Sequence, residues 1–155
     1  MGQPNLDKYL LSKASKLKCI INVESNFMDN LDYDYCFKKN IHVIATSPVF
    51  SKPVAEIALG MTLSLLRNIH NAHFDFIKSK EKYGLESNLQ ASLLTNKKIG
   101  LLGFGDLAKS LYPLLLPFSK NINVYDPWIP KNKIKKIGFN PINLNKMFSS
   151  CEVIY

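Results

Sequence analysis

Along most of the chain, short apolar runs alternate with stretches whose apolar residues fall three and four apart, a pattern that predicts strands and helices in turn. Residues 1–16 are polar and lysine-rich and predict an amphipathic helix through Leu6, Tyr9 and Leu10, with Leu17 a candidate to extend the same face. Residues 18–23 predict a buried strand, 24–29 a polar loop, and 31–39 a short helix capped by Asp29 or Asn30 and stopped by a left-handed Asn40. Residues 41–44 form a second strand, which completes a βαβ unit. A loop over 47–52 leads to Pro53, read as the first residue of a long helix, where a proline's missing N–H costs nothing. Val54, Ile57, Ala58, Met61, Leu65, Ile69, Ala72 and Phe76 then keep helical spacing, with Gly60 leaving room for a neighbouring helix. Residues 78–97 read as a polar surface crossing.

The second half repeats the alternation. Residues 99–102 predict a buried strand, followed by a helix with Leu107, Ala108, Leu111, Leu114 and Leu115 on its buried face. A strand over 121–126, a helix over 131–137, a brief edge strand over 139–142 and an Asn143-capped helix over 144–148 come next. Residues 151–155 begin a fourth strand, expected beside the first. The class is α/β, with a Rossmann-type doubly wound parallel sheet that is incomplete. A fragment of a longer protein is therefore expected, with an unpaired strand edge and poor solubility.

Between the strand at 99–102 and its helix lies Gly103-Phe104-Gly105-Asp106-Leu107-Ala108, a G-x-G-x-x-A turn. Gly103 can take backbone angles that a side chain would forbid. Gly105 lets a pyrophosphate approach the main chain, and Ala108 lets helix and strand touch. Amides at a helix N-terminus favour anions. Asp126 follows about 20 residues later, where the dinucleotide fingerprint wants a carboxylate for ribose hydroxyls. Its charge repels a 2′-phosphate, which favours NAD over NADP. The bland alternative for Asp126 is a turn-forming Asp before Pro. The expected cofactor residues are Gly103, Phe104, Gly105, Asp106, Leu107, Asp126 and Pro127.

Composition narrows the partners. The net charge of +8 comes almost wholly from lysine, with Arg67 the single arginine. Nucleic-acid faces want arginine forks, so no nucleic-acid partner is expected, and Lys131, Lys133, Lys135 and Lys136 read as a solvated helix face. No apolar run approaches the ~20 residues of a membrane span, so no membrane partner is expected. Residues 1–18 lack the apolar core of a signal peptide. Cys19, Cys36 and Cys151 are odd in number and far apart, which suits free thiols in the cytoplasm and argues against a metal site. His70 and His73, three apart on the long helix, suit a charge or packing role.

Three stretches carry a family resemblance. Met28-Asp29-Asn30-Leu31-Asp32 after a strand, Pro53-Val54-Ala55-Glu56 opening a helix, and the glycine turn followed by Val124-Tyr125-Asp126-Pro127 resemble, in order and spacing, the D-isomer-specific 2-hydroxyacid dehydrogenases, a group that includes phosphoglycerate dehydrogenase and hydroxypyruvate reductase. The resemblance implies that residues 1–50 are the end of a flavodoxin-like substrate domain. Residues 51–155 would be the first half of an NAD domain, opened by an inter-domain helix that forms a homodimer. The implied reaction transfers a hydride between NAD(H) and a small D-2-hydroxy or 2-oxo acid. The family's substrate-carboxylate loop matches Ser25, Asn26 and Phe27, although Ser25 and Phe27 stand where the family usually has glycine. The family's catalytic Arg, Glu and His have no match in these residues, so no catalytic residue is assigned and this stretch alone is expected to be inactive. The alternative is a non-enzymatic NAD-sensing or co-repressor-like module.

Overall fold

The computed structural model describes residues 4–23 and 27–155. The chain forms two compact units, Met1–Phe50 and Ser51–Tyr155.

In the first unit, β1 (Cys19–Asn22) and β2 (His42–Ala45) pair in parallel, with Cys19 opposite His42 and Asn22 opposite Ala45. The helices α1 (Lys8–Lys13) and α2 (Tyr33–Lys38) supply Leu11 and Cys36 to a small core with Leu31 and Ile41, against which Ile20 and Val43 pack. Two expectations change here. The N-terminal helix is shorter than predicted and turns Leu11 inward, leaving Tyr9 and Leu10 exposed, because Asp7 starts it by accepting from the Leu10 N–H at 2.9 Å. The second helix is capped by Asp32, not Asp29 or Asn30. Its carboxylate accepts from Tyr35 N at 2.9 Å, a contact that typically stabilises by about 1 kcal/mol. Asn40 takes the expected left-handed conformation, with φ 53°.

Helix α3 (Ser47–Leu66) differs most from the reading of the sequence. The stretch read as a loop at 47–52 is helical, and Pro53 lies inside the helix. The favourable proline at its start is Pro48, which sits in the first turn, where an N–H has no partner anyway. Pro53 lacks the N–H that would bond to the Val49 carbonyl, a loss borne on a solvent-exposed side. The helical spacing does not run unbroken to Phe76. Asn68 is left-handed (φ 56°) and separates α3 from α4 (Ile69–Ile77). Apolar periodicity passes over such a two-residue break without a mark.

The face of α3 turned inward is only partly the one that spacing marks. Ala55 enters the core, with Ala58, Leu59, Leu63 and Leu66 packed beside it, while Val54, Ile57, Met61 and Leu65 are exposed. Nothing lies within 4 Å of the place a Cβ would take at Gly60, so no helix among the described residues packs against it there. With a mean hydropathy of 1.4, α3 is long and apolar enough to cross a membrane, contrary to the expectation that no such segment exists.

The remaining elements of the second unit build one parallel sheet. After α5 (Gly84–Asn88), a short helix in the stretch read as a plain crossing, come β3 (Ile99–Leu102), α6 (Asp106–Leu115), β4 (Ile122–Tyr125), α7 (Lys131–Lys136), β5 (Asn140–Pro141), α8 (Leu144–Ser150) and β6 (Val153–Ile154). The strand order is β5-β4-β3-β6, with every pairing parallel. The last strand thus lies beside the first, as expected. Ile99, Leu101, Ile122 and Val124 alternate through the core and meet Leu111 and Leu115 of α6 and Ile134 of α7. Asn123 is buried in β4 and satisfied: its amide donates to the Ile99 carbonyl at 3.2 Å and its oxygen accepts from Asn140 at 2.8 Å.

Candidate functional site

The site grows from the crossing between β3 and α6. Gly103 adopts φ 93°, a region closed to most side chains, and its N–H donates to the Tyr125 carbonyl at 2.7 Å. The next residue turns inward. Phe104 is buried, its ring 5.1 Å from Phe139 in an edge-on contact, and Phe139 meets Tyr112 at 5.0 Å. That aromatic anchor sets the turn against the core and leaves the Phe104 N–H pointing at the end of β4.

There it meets Asp126. Asp126 Oδ2 accepts from Phe104 N at 2.8 Å, while Oδ1 accepts from Trp128 N and Ile129 N, each at 2.8 Å. Burial opposes ionisation of this carboxyl. The three backbone donors and the Lys109 ammonium outweigh burial and hold it below the ordinary carboxylate value. Asp126 is therefore an anion at neutral pH, and its two oxygens keep lone pairs for further donors. The turn reading of Asp126 describes one oxygen, which closes a turn onto residues 128 and 129, while the other ties the acid to the glycine turn.

Gly105 precedes α6 in an extended conformation and caps it without a side-chain acceptor. The first-turn amides of α6, those of Leu107 and Ala108 among them, have no carbonyl a turn earlier to bond. Nothing lies within 4 Å of a Cβ built at Gly103 or at Gly105, so open space stands over both glycines. Open backbone at a helix N-terminus, with an anionic acceptor at the neighbouring strand end, fits a dinucleotide: pyrophosphate over the glycines, ribose hydroxyls at the acid. Asp106 opens the helix, with its carboxylate 3.9 Å from Lys109 Nζ, and Pro127 is exposed. Beside the turn, an apolar cleft of about 300 Å³ is lined by Leu102, Gly103, Leu107, Ala108, Ala55 and Tyr155, among others. A larger groove of about 760 Å³ lies along α4 and α5 and shares no residue with the turn or with Asp126.

Of the other residues singled out by the sequence, Ser25 and Asn26 lie outside the described residues. Phe27 is exposed, its ring 5.9 Å from that of Tyr33. His70 Nδ1 lies 3.3 Å from the Ser64 carbonyl, and His73 stands beside the Phe74 ring. No cluster of three or more metal-ligating side chains occurs among the described residues. Cys19, Cys36 and Cys151 are free thiols, the second of them buried. Three contributors went unnoticed in the sequence. Trp128 and Ile129 donate to Asp126, a contact that the Asp-Pro pair itself signals. Glu152 accepts from Lys98 N at 2.8 Å and pairs with Lys97 at 2.9 Å, fastening the start of β6 to β3; no local pattern marks that long-range contact.

Comparison with known proteins agrees with this geometry. Residues 59–155 match the family model of the D-isomer specific 2-hydroxyacid dehydrogenase NAD binding domain. The chain is 28% identical to a D-3-phosphoglycerate dehydrogenase of Methanocaldococcus jannaschii, over 94% of its own length and 27% of that relative. Among solved structures, a phosphoglycerate oxidoreductase from Rhizobium etli superposes with a TM-score of 0.77 at 40% identity, covering 99% of this chain and 51% of that one. A D-lactate dehydrogenase from Aquifex aeolicus, solved with NAD and lactic acid, gives 0.76 at 27% identity, covering 97% and 44%. The chain thus spans from about a quarter to half of the length of these proteins.

Proposed function

Since the chain belongs to the D-isomer specific 2-hydroxyacid dehydrogenases through its NAD-binding domain, we propose that the protein serves hydride transfer between NAD(H) and C2 of a small D-2-hydroxy or 2-oxo acid. The observation that carries this reading is the joint between Asp126 and the glycine turn. One carboxylate, held ionised, stands at the end of β4, and its hydrogen bond to Phe104 N fixes it against the backbone that would face the pyrophosphate.

Bound NAD supplies the hydride acceptor, and NADH the donor. The chain's own residues bind and orient it. Gly103 and Gly105 keep side chains out of the diphosphate's path, and the amides of Leu107 and Ala108 face its charge from the helix start. Phe104 acts through the core, by aiming its N–H at Asp126. Asp126 takes the ribose hydroxyls, with Pro127 shaping the chain beside them. Ser25, Asn26 and Phe27 are assigned to the carboxylate of the organic acid, within a first unit that serves as part of the substrate domain. His70 and His73 are not assigned to proton transfer, since their rings are engaged with Ser64 and Phe74. The exposed face of α3 is assigned to a homodimer contact, and the free thiols favour the cytoplasm.

The test is calorimetric titration of the whole chain with NAD and NADP, before and after Asp126→Ala. Losing a charged acceptor for hydroxyl donors costs about 1.5–3 kcal/mol, or roughly 10- to 150-fold in affinity. NAD should bind more tightly than NADP, and the variant should lose most of that preference while retaining its circular dichroism spectrum. A folded wild-type chain that ignored both cofactors would overturn the proposal.

A further inference from the structure

We propose that Trp128 is the surface on which the adenine ring of the dinucleotide stacks; the inference rests on Asp126 holding the adenosine ribose. Trp128 is the only tryptophan of the chain, and at 85% exposure it is the most solvent-open large apolar side chain among the described residues. An indole left in water forgoes the burial that usually makes tryptophan useful to a fold, so its place here calls for a reason.

The main chain beneath the ring is held firmly. Trp128 N and Ile129 N both donate to Asp126 Oδ1 at 2.8 Å. Pro127 and Pro130 fix φ on either side of the pair. Ile129 is partly buried and packs against the core. The loop therefore sends one side chain inward as an anchor and leaves the next one outside on a fixed base. A preorganised aromatic ring loses less freedom on binding than a mobile one.

The position suits the base as well. Trp128 follows the ribose-binding carboxylate by two residues, a span of at most about 7 Å of chain. Adenine is joined to the same ribose, so a ribose seated on Asp126 carries its base into that neighbourhood. Nucleobases stack on aromatic side chains whatever their hydrogen-bonding edge, which makes the indole a platform for the base and a poor reader of its identity.

The chain's one tryptophan reports directly on this role. Its fluorescence is followed while the whole chain is titrated with ADP-ribose and, separately, with nicotinamide mononucleotide, and binding is measured in parallel by calorimetry. ADP-ribose is expected to quench the emission and nicotinamide mononucleotide to leave it unchanged. Trp128→Ala is expected to weaken ADP-ribose by about five-fold or more, and Trp128→Phe to keep most of the affinity. The stacking role is overturned if ADP-ribose binds, and still needs Asp126, yet neither changes the emission nor notices Trp128→Ala; the cofactor reading then stands. If the folded wild-type chain takes up neither ADP-ribose nor NAD by calorimetry, the cofactor reading fails and the stacking role falls with it.

Discussion

Two glycines two residues apart do different work. Gly103 sits at φ 93°, where a Cβ strains the backbone although no neighbour would touch it, so Gly103→Ala should destabilise the chain by about 1–2 kcal/mol. Gly105 has φ −78° and ψ −162°, an extended conformation open to any residue, and a Cβ there would also meet nothing. No neighbour among the described residues demands a glycine at 105; a ligand lying against the backbone would. Gly105→Ala should therefore cost the fold no more than the roughly 1 kcal/mol of an alanine at a helix N-cap, read from the urea midpoint, while weakening NAD by roughly 1–3 kcal/mol through intrusion of the methyl group. Equal affinity for NAD in wild type and variant would show that the diphosphate does not pass over Gly105. Asp126 gives a pH signature at the same scale. Its carboxyl titrates lower in the folded chain than in the unfolded one, so the unfolded state takes up its proton first as the solution is acidified. The stability it lends is complete above about pH 4 and drains away as pH falls through the folded value. Urea midpoints measured from pH 6 to pH 3 should fall at the acid end, and fall less steeply in Asp126→Asn.

At the scale of elements, the seam between β3 and α8 depends on a third glycine. A Cβ at Gly100 would stand 3.0 Å from Met147 Cγ and 3.2 Å from Cys151 Sγ. Met147 is fully buried and has little room to retreat, so Gly100→Ala should cost about 1–3 kcal/mol by overpacking despite alanine's better strand propensity. A thermal midpoint equal to or above that of the wild type would mean that the thioether swings aside. In sequence Gly100 looked like one member of an apolar run, because close approach is a property of the partner helix. That contrast runs through the fold. Strands are legible where short apolar runs stand between polar residues, and the order of β3, α6 and β4 around Gly103 and Asp126 can be read almost residue by residue. The dependence of Asp126 on Phe104 could not, since it needs two strand ends brought together. The start of α3 was misplaced because two prolines competed for the first turn, and its end was missed because one left-handed Asn68 interrupts the helix without disturbing the apolar spacing. Its inward face is not legible for a different reason: α3 is apolar on both sides, and periodicity alone does not say which side the sheet takes.

That two-sided helix decides how the whole molecule meets its surroundings. The sheet claims Ala55, Ala58, Leu59, Leu63 and Leu66, and Val54, Ile57, Met61 and Leu65 stay open to solvent. Length and hydropathy alone would let α3 cross a bilayer, but a helix whose Ala55 sits in the core of a sheet has one face committed to protein. A second copy of the chain is the proposed cover for the other face. One helix of 20 residues is about 30 Å long, and a strip about 10 Å wide along it offers roughly 300 Å². A stable interface takes about 800 Å² from each partner. The helices that follow must therefore contribute, and α4 and α5 carry Phe74, Phe76 and Leu85 exposed, with Leu89 just beyond. Ile57→Asp and Met61→Asp place charge in the middle of the strip without touching the sheet, and a carboxylate forced into a dry interface has no partner there. Sedimentation velocity should show a dimer for the wild type and a monomer for each variant, with circular dichroism unchanged. A wild type that sediments as a monomer at tens of micromolar, or variants that remain dimeric, would remove α3 from the assembly and leave its open face to some other partner.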